Sequence, residues 1–178
     1  MDNKKIDLAK ELGLSGDYKN FTLDGKAYVL RKPTAMESIE IEDKNIELEG
    51  SIDMYGYIQD ILKFITPKLK IEDVIEKKDN IIVIGDKTLH FEKVGIEQGF
   101  KTILATSKID TNSNGERVMK LNRHGAIKKI IEFAHAEDES ITLNSFKTKD
   151  ELNQLLEKFQ ELVDASKAME VYDTFQSI

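Results

Sequence analysis

The sequence has no cysteine and no tryptophan, and only two of its 178 residues are proline. Without cysteine there is no disulfide, no thiolate zinc site, no iron–sulfur cluster and no cysteine nucleophile. No apolar run reaches the roughly 18 residues of a membrane-spanning helix. The opening MDNKKIDLAKELGL also lacks the apolar stretch of a signal peptide, so a cytoplasmic protein with no membrane association is expected. Clustered positive charge is scarce as well. A formal net charge of −7 argues against nucleic-acid binding, which needs lysines and arginines grouped against phosphates. Lys68 and Lys70, and Lys128 and Lys129, stand beside acids or between apolar residues and read as solvated helix faces. Phosphate-loop, dinucleotide-loop and nucleophile-elbow glycine patterns are all missing. Neither a cofactor nor an enzymatic activity is expected.

What is present is ordinary globular material, 40% hydrophobic and 33% charged, in a chain long enough to bury a core. FTLDGKAYVLR places Asp24-Gly25 between two β-prone runs, the pair favoured in a two-residue type I′ hairpin turn. Alternation then puts Tyr28 and Leu30 on one face. Pro33 ends the strand, and Thr34 with Glu37 forms a capping box for a helix carrying Met36, Ile39 and Ile41 or nearby positions. A second helix follows from Ser51, with Ile58, Ile61, Leu62 and Ile65 on one face, stopped by Thr66-Pro67. IIVIGDKTLHFEK repeats the hairpin pattern around Gly85-Asp86, which suits a type II′ turn. A helix over IEQGFKTILATS carries Ile96, Phe100, Ile103 and Leu104 and is weakened by Gly99. KIDTNSNGER reads as a polar loop. The next helix sets Ile127, Ile130, Ile131 and Ala134 on one face. Thr148 and Glu151 then cap a long C-terminal helix with Leu152, Leu155, Leu156, Phe159, Leu162 and Val163 in register.

GYIQDILKFI from Gly56 and GAIKKIIEFA from Gly125 say nearly the same thing sixty-nine residues apart. The hairpins match at sixty-one, Lys26 against Lys87 and Lys32 against Lys93. The expected fold is therefore α+β and helix-rich, a single domain over 1–178. It holds two β-hairpin–helix–helix units with candidate repeat halves 19–78 and 79–170, plus the long C-terminal helix.

Few residues invite chemistry. DTNSNG, from Asp110 to Gly115, begins like a calcium loop, but position 12 is Leu121 where a bidentate glutamate is needed, and position 8 is Arg117. No metal site is expected there. His90, His124 and His135 form no ligand motif. Glu42-Asp43 and Glu137-Asp138-Glu139 read as solvated runs rather than acid–base pairs. The closing VYDTFQSI sets Val171, Tyr172, Phe175 and Ile178 on a helical stripe, either a surface that docks a partner helix or a turn folded onto its own core.

FTLDGKAYVLRKPTAMESIEI, Phe21 to Ile41, resembles the N-terminal signature of phage tail assembly chaperones, a hairpin leading through an R-K-P-T step into a helix. Gly25, Lys26, Tyr28, Leu30, Arg31, Lys32, Pro33 and Thr34 carry the likeness, and the later helices are similar in style to members from contractile and prophage-derived tails. The second hairpin, at 81–91, makes this chain fuller than the minimal family pattern. The resemblance implies a non-enzymatic protein of the host cytoplasm that holds the tape-measure protein soluble and helps tail-tube subunits polymerise around it, with self-association a further option. The partner-binding residues expected on this basis and from the C-terminal stripe are Tyr28, Arg31, Lys32, Pro33, Tyr172, Phe175 and Ile178. The alternative is a structural virion component of the tail or head-to-tail region, assembled by strand addition at exposed hairpin edges.

Overall fold

A computed structural model describes residues 8–46, 52–105, 107–111, 113 and 117–178. Among them, eight α-helices and a few small antiparallel sheets make a helix-rich α+β protein. The chain divides into two compact units, Met1–Ile75 with Ala165–Ile178, and Glu76–Asp164.

The first unit opens with a short helix, α1 (Leu8–Glu11), and a hairpin of β1 (Tyr18–Leu23) and β2 (Lys26–Arg31). Asp24 and Gly25 have φ of 49° and 73°, the two positive values that a type I′ turn requires. Tyr28 and Leu30 are buried on one face of β2 and Val29 on the other, so the strand is covered on both sides there, and the Tyr28 ring stacks on Phe21 with centroids 5.6 Å apart. Beyond the hairpin, the Glu37 N–H donates to Thr34 Oγ1 at 3.2 Å and the Glu37 carboxylate accepts the Thr34 N–H at 2.8 Å. This reciprocal cap starts α2 (Ala35–Asn45).

Helix α2 buries one narrow face. Ile41 and Asn45, one turn apart, point into the unit, whereas Met36 and Ile39 are 64% and 49% exposed. Ile39 lies two positions from Ile41, about 200° round the helix, so the two cannot share a face. The partner of α2 is α3 (Met54–Leu62), which is apolar nearly all round and buries Tyr55, Tyr57, Ile58, Ile61 and Leu62. Ile65 is buried too, but in β3 (Ile65–Thr66), which pairs with β2 through Leu30 as a third strand. Helix α4 (Ile71–Val74) closes this stretch.

The second unit contains β4 (Glu76–Lys77), the hairpin β5 (Ile81–Ile84) and β6 (Lys87–His90), and α5 (Ile96–Ala105). There follow β7 (Ser107–Thr111), β8 (Arg117–Leu121), α6 (Arg123–Glu137), a 3-10 turn at Leu143–Ser145, α7 (Lys149–Leu162) and β9 (Val163–Asp164). Gly85 takes φ 61° at the first turn position of the second hairpin, as a type II′ turn demands. The expected polar loop after α5 is instead an antiparallel pair, β7 with β8, from Ser107↔Leu121 to Thr111↔Arg117. The β-branched Ile109, Thr111 and Val118 favour that pairing over a loop. Residues 112 and 114–116 of the calcium-like stretch lie outside the described residues.

The core of this unit is aromatic and aliphatic. Phe91 meets Phe159 edge-to-face at 5.3 Å, Phe133 stacks on Phe159 at 6.4 Å, and Phe100, Ile130 and Leu155 are buried. Thr148 and Glu151 form the expected capping box at the start of α7. The long C-terminal helix is, however, two helices. It breaks at β9, which pairs with β4 through Glu76↔Asp164 and Lys77↔Val163, and the Lys78 N–H extends the ladder to Leu162 O at 2.7 Å. Gly99 belongs to the same junction: a Cβ there would stand 2.7 Å from Val163 Cγ2, so its missing side chain admits β9 beside α5. The chain then returns to the first unit as α8 (Ser166–Gln176), which buries Ala168, Val171 and Phe175 and packs on α3. Burying one such valine or phenylalanine contributes roughly 1.5–3 kcal/mol.

The two echoing segments begin alike in three dimensions. Asp53 caps α3 by accepting the Gly56 N–H at 3.2 Å, and Asn122 caps α6 by accepting the Gly125 N–H at 3.2 Å. Each cap has a short oxygen-bearing side chain three residues before a glycine, so the sequence echo extends upstream into the geometry that starts each helix. Ile58, Ile61 and Leu62 are buried, as are Ile127, Ile130 and Ile131.

Candidate partner-docking groove

The structure separates the partner-binding candidates into three groups. Tyr28 and Phe175 are core residues, buried against Phe21 and Tyr57 respectively, and offer no surface to a partner. Arg31, Lys32 and Pro33 form the corner between β2 and α2. The Arg31 guanidinium donates to both carboxylate oxygens of Glu37, at 2.9 and 3.1 Å, and lies 4.7 Å above the Phe64 ring. These bonds, with the Thr34 N–H, hold the Glu37 carboxyl down at about 2. Arg31 is thus committed to bracing the corner. Lys32 is exposed and Pro33 half-buried, with no ion pair at Lys32 among the described residues. Ile178 is half-buried.

Tyr172 is the candidate that the structure places in a concave site. Its ring meets Tyr57 edge-to-face at 5.8 Å, and both line an open trough of about 240 Å³ together with Glu42, Ile46, Ile52, Met54 and Gln176. Three helices build it. Met54 and Tyr57 come from the buried α3, Glu42 and Ile46 from α2 and its C-cap, and Tyr172 and Gln176 from α8. Ile46 and Ile52 pair with each other in an isolated antiparallel bridge, yet are 54% and 48% exposed. Burial raises the Tyr57 phenol above its ordinary value, opposed by a hydrogen bond with Gln176.

Sequence reasoning missed Glu42, Ile46 and Ile52, though a signal was there. On α2 the residues Ala35, Ile39, Glu42 and Ile46 recur at i, i+4, i+7 and i+11, a stripe separate from the core-facing pair Ile41 and Asn45. On α8, Met169, Tyr172 and Gln176 form the facing stripe.

Behind the trough lies a polar cluster centred on Asp60, which is 4% exposed. Burial works against its charge. Hydrogen bonds nevertheless win: Lys44 Nζ donates to both oxygens at 2.8 Å, Lys63 Nζ to Oδ1, and Asn45 Nδ2 to Oδ2 at 3.0 Å, holding the carboxyl down at about 2. Asn45 also donates to Ile41 O at 2.7 Å within α2, so the cluster ties α2 to α3.

The remaining candidates for chemistry are dispersed. His90 Nδ1 stands 3.1 Å from Glu92, His135 Nδ1 stands 2.8 Å from Ile141 O, and His124 is exposed. Glu137 accepts the Lys93 N–H at 2.8 Å and so ties the end of α6 to the segment after β6, while Asp138 accepts the Ser140 N–H at 2.9 Å and braces a local turn. Among the described residues no three His, Cys, Asp or Glu side chains gather as metal ligands, and no helix is long and apolar enough to cross a membrane. No protein-family model, no curated protein and no solved structure matches this chain.

Proposed function

We propose that the chain is a phage tail assembly chaperone, a non-enzymatic protein of the host cytoplasm that binds the tape-measure protein, the tail-tube protein or both while the tail is built. The supporting observation is the exposed apolar stripe of α2, which begins at the β2–α2 corner where the family resemblance lies and runs to the trough at Ile46. A protein that keeps a long amphipathic helix soluble needs such a face, on an acidic body that stays dispersed. The alternative virion role relies on strand addition at hairpin edges. At β5 that route is obstructed: the Val83 carbonyl accepts from Lys158 Nζ and the Ile81 N–H donates to Asp79 Oδ1 at 3.2 Å.

The test has two arms. The tagged chain is co-expressed with the tape-measure and tail-tube proteins encoded beside it, and purified particles are compared with cleared lysate by mass spectrometry. Capture of either protein, with the chain abundant in lysate and absent from particles, supports the reading. Many copies in each particle would replace it with the structural role.

A further inference from the structure

We infer that the trough between α2 and α8 receives a positively charged amphipathic helix, whose apolar side lies on Ile46, Ile52, Tyr57 and Tyr172 and whose basic side chains meet Glu42, Asp43 and Asp173. The inference deepens the chaperone reading by naming the chemistry of the partner segment.

Shape is the first argument. A trough walled by two helical stripes over the aromatic floor of a third helix is the form that takes an amphipathic helix in a groove. From Ala35 to the C-cap Ile46 the stripe Ala35, Ile39, Glu42 and Ile46 covers eleven residue steps, about 16 Å, enough to contact three turns of a partner. Half-exposed Ile39, Ile46, Ile52 and Met169 all lie on these stripes or at the trough itself.

Charge complementarity selects the occupant. Helix α2 carries four carboxylates and one lysine, and α8 carries two carboxylates and one lysine. The lysines are engaged elsewhere: Lys44 with Asp60, and Lys167 with Asp24. Glu42 lines the trough, while Asp43 and Asp173 each sit one helical position outside the apolar stripes. None of these three acids has an ion pair among the described residues. An apolar floor with an acidic rim disfavours an acidic partner, and disfavours the acidic α2 of a second copy of this chain.

The experiment uses the full chain and a fluorescent peptide of roughly 14 residues, built from leucine at helical spacing with lysine elsewhere. A leucine/glutamate peptide of the same pattern and a scrambled leucine/lysine peptide are the controls. Saturable binding of the first peptide is expected. It should weaken about tenfold or more for either control and in the E42K/D173K protein, and be unchanged in the exposed-site variant E157K. Circular dichroism checks that each variant is folded. Equal binding of either control peptide would overturn the inference, as would undiminished binding in the E42K/D173K protein. So would a dimer in sedimentation that Ile46→Arg abolishes, because a second copy would then cover the trough. The peptide carries no phage sequence, so the two readings fail separately. Peptide binding without capture of a tail protein would remove the chaperone reading alone, and capture without peptide binding would remove this one.

Discussion

Replacing Asp60 with asparagine removes the one fully buried charge among the described residues and leaves its two lysines in solvent, which makes the cost calculable. The folded carboxyl titrates at about 2 against a reference of 3.8. At about 1.4 kcal/mol per unit, ionised Asp60 therefore contributes on the order of 2 kcal/mol. Because the folded value lies below the unfolded one, this contribution is complete above about pH 5 and fades as the pH falls through 4 towards 2. Lys44 and Lys63 keep their hydration in the variant, so no stranded charge enlarges the loss. Urea denaturation of wild type and Asp60→Asn, followed by circular dichroism from about pH 7 to about pH 2.5, measures the difference. A destabilisation of about 2 kcal/mol at neutral pH that shrinks steadily below pH 5 is expected. Other carboxylates titrate in both proteins and cancel. A neutral-pH cost under about 0.5 kcal/mol, or a difference that holds constant into acid, would refute the claim that hydrogen bonds outweigh burial at this site.

Ile61→Asp and Ile130→Asp each place a carboxylate at a position with no solvent exposure, and should unfold or aggregate their units; a soluble variant with native circular dichroism would contradict the core assignment. Gly99→Ala gains helix propensity worth about 1 kcal/mol but drives a methyl against Val163, so a net loss of about 1 kcal/mol is expected, and Val163→Ala in the same chain should recover part of it. Thr34→Ala and Thr148→Ala each delete a helix cap and should cost about 1 kcal/mol in denaturant melts. Arg31→Ala should loosen the β2–α2 corner, which faster amide exchange over the first turn of α2 would report; unchanged exchange there would show the guanidinium clamp to be idle.

Local signals carried most of the fold. Asp24-Gly25 and Gly85-Asp86 specified their turns because few residues tolerate the required φ, and the Thr34/Glu37 and Thr148/Glu151 pairs marked helix starts through bonds made within four residues. Long-range pairing was hidden. Two-residue strands such as β3, β4 and β9 have no periodicity to read, and their partners lie far along the chain. The break between α7 and α8 follows from one of these pairings, so the C-terminal run reads as continuous. The trough was half legible. Tyr172 was found from its stripe, but the exposed side of α2 was not, because apolar residues crowd that helix on more than one side. Its true core face is marked by a buried asparagine, a residue that polarity alone assigns to solvent.

The ladder of Glu76–Lys77 with Val163–Asp164 sets the strands that lead into and out of the second unit side by side, which makes that unit one continuous segment and splits the first unit in two along the chain. Everything the second unit packs against itself lies in one uninterrupted stretch, so its internal contacts need no residue from outside that stretch. The first unit must wait. Its central helix, α3, stays uncovered along the side that Val171 and Phe175 later fill, because α8 is translated only after the whole of the second unit. The nested unit can therefore fold from a single segment, whereas the trough bordered by Tyr172 and Gln176 takes shape only when α8 joins α2 and α3 across the whole of that segment in sequence.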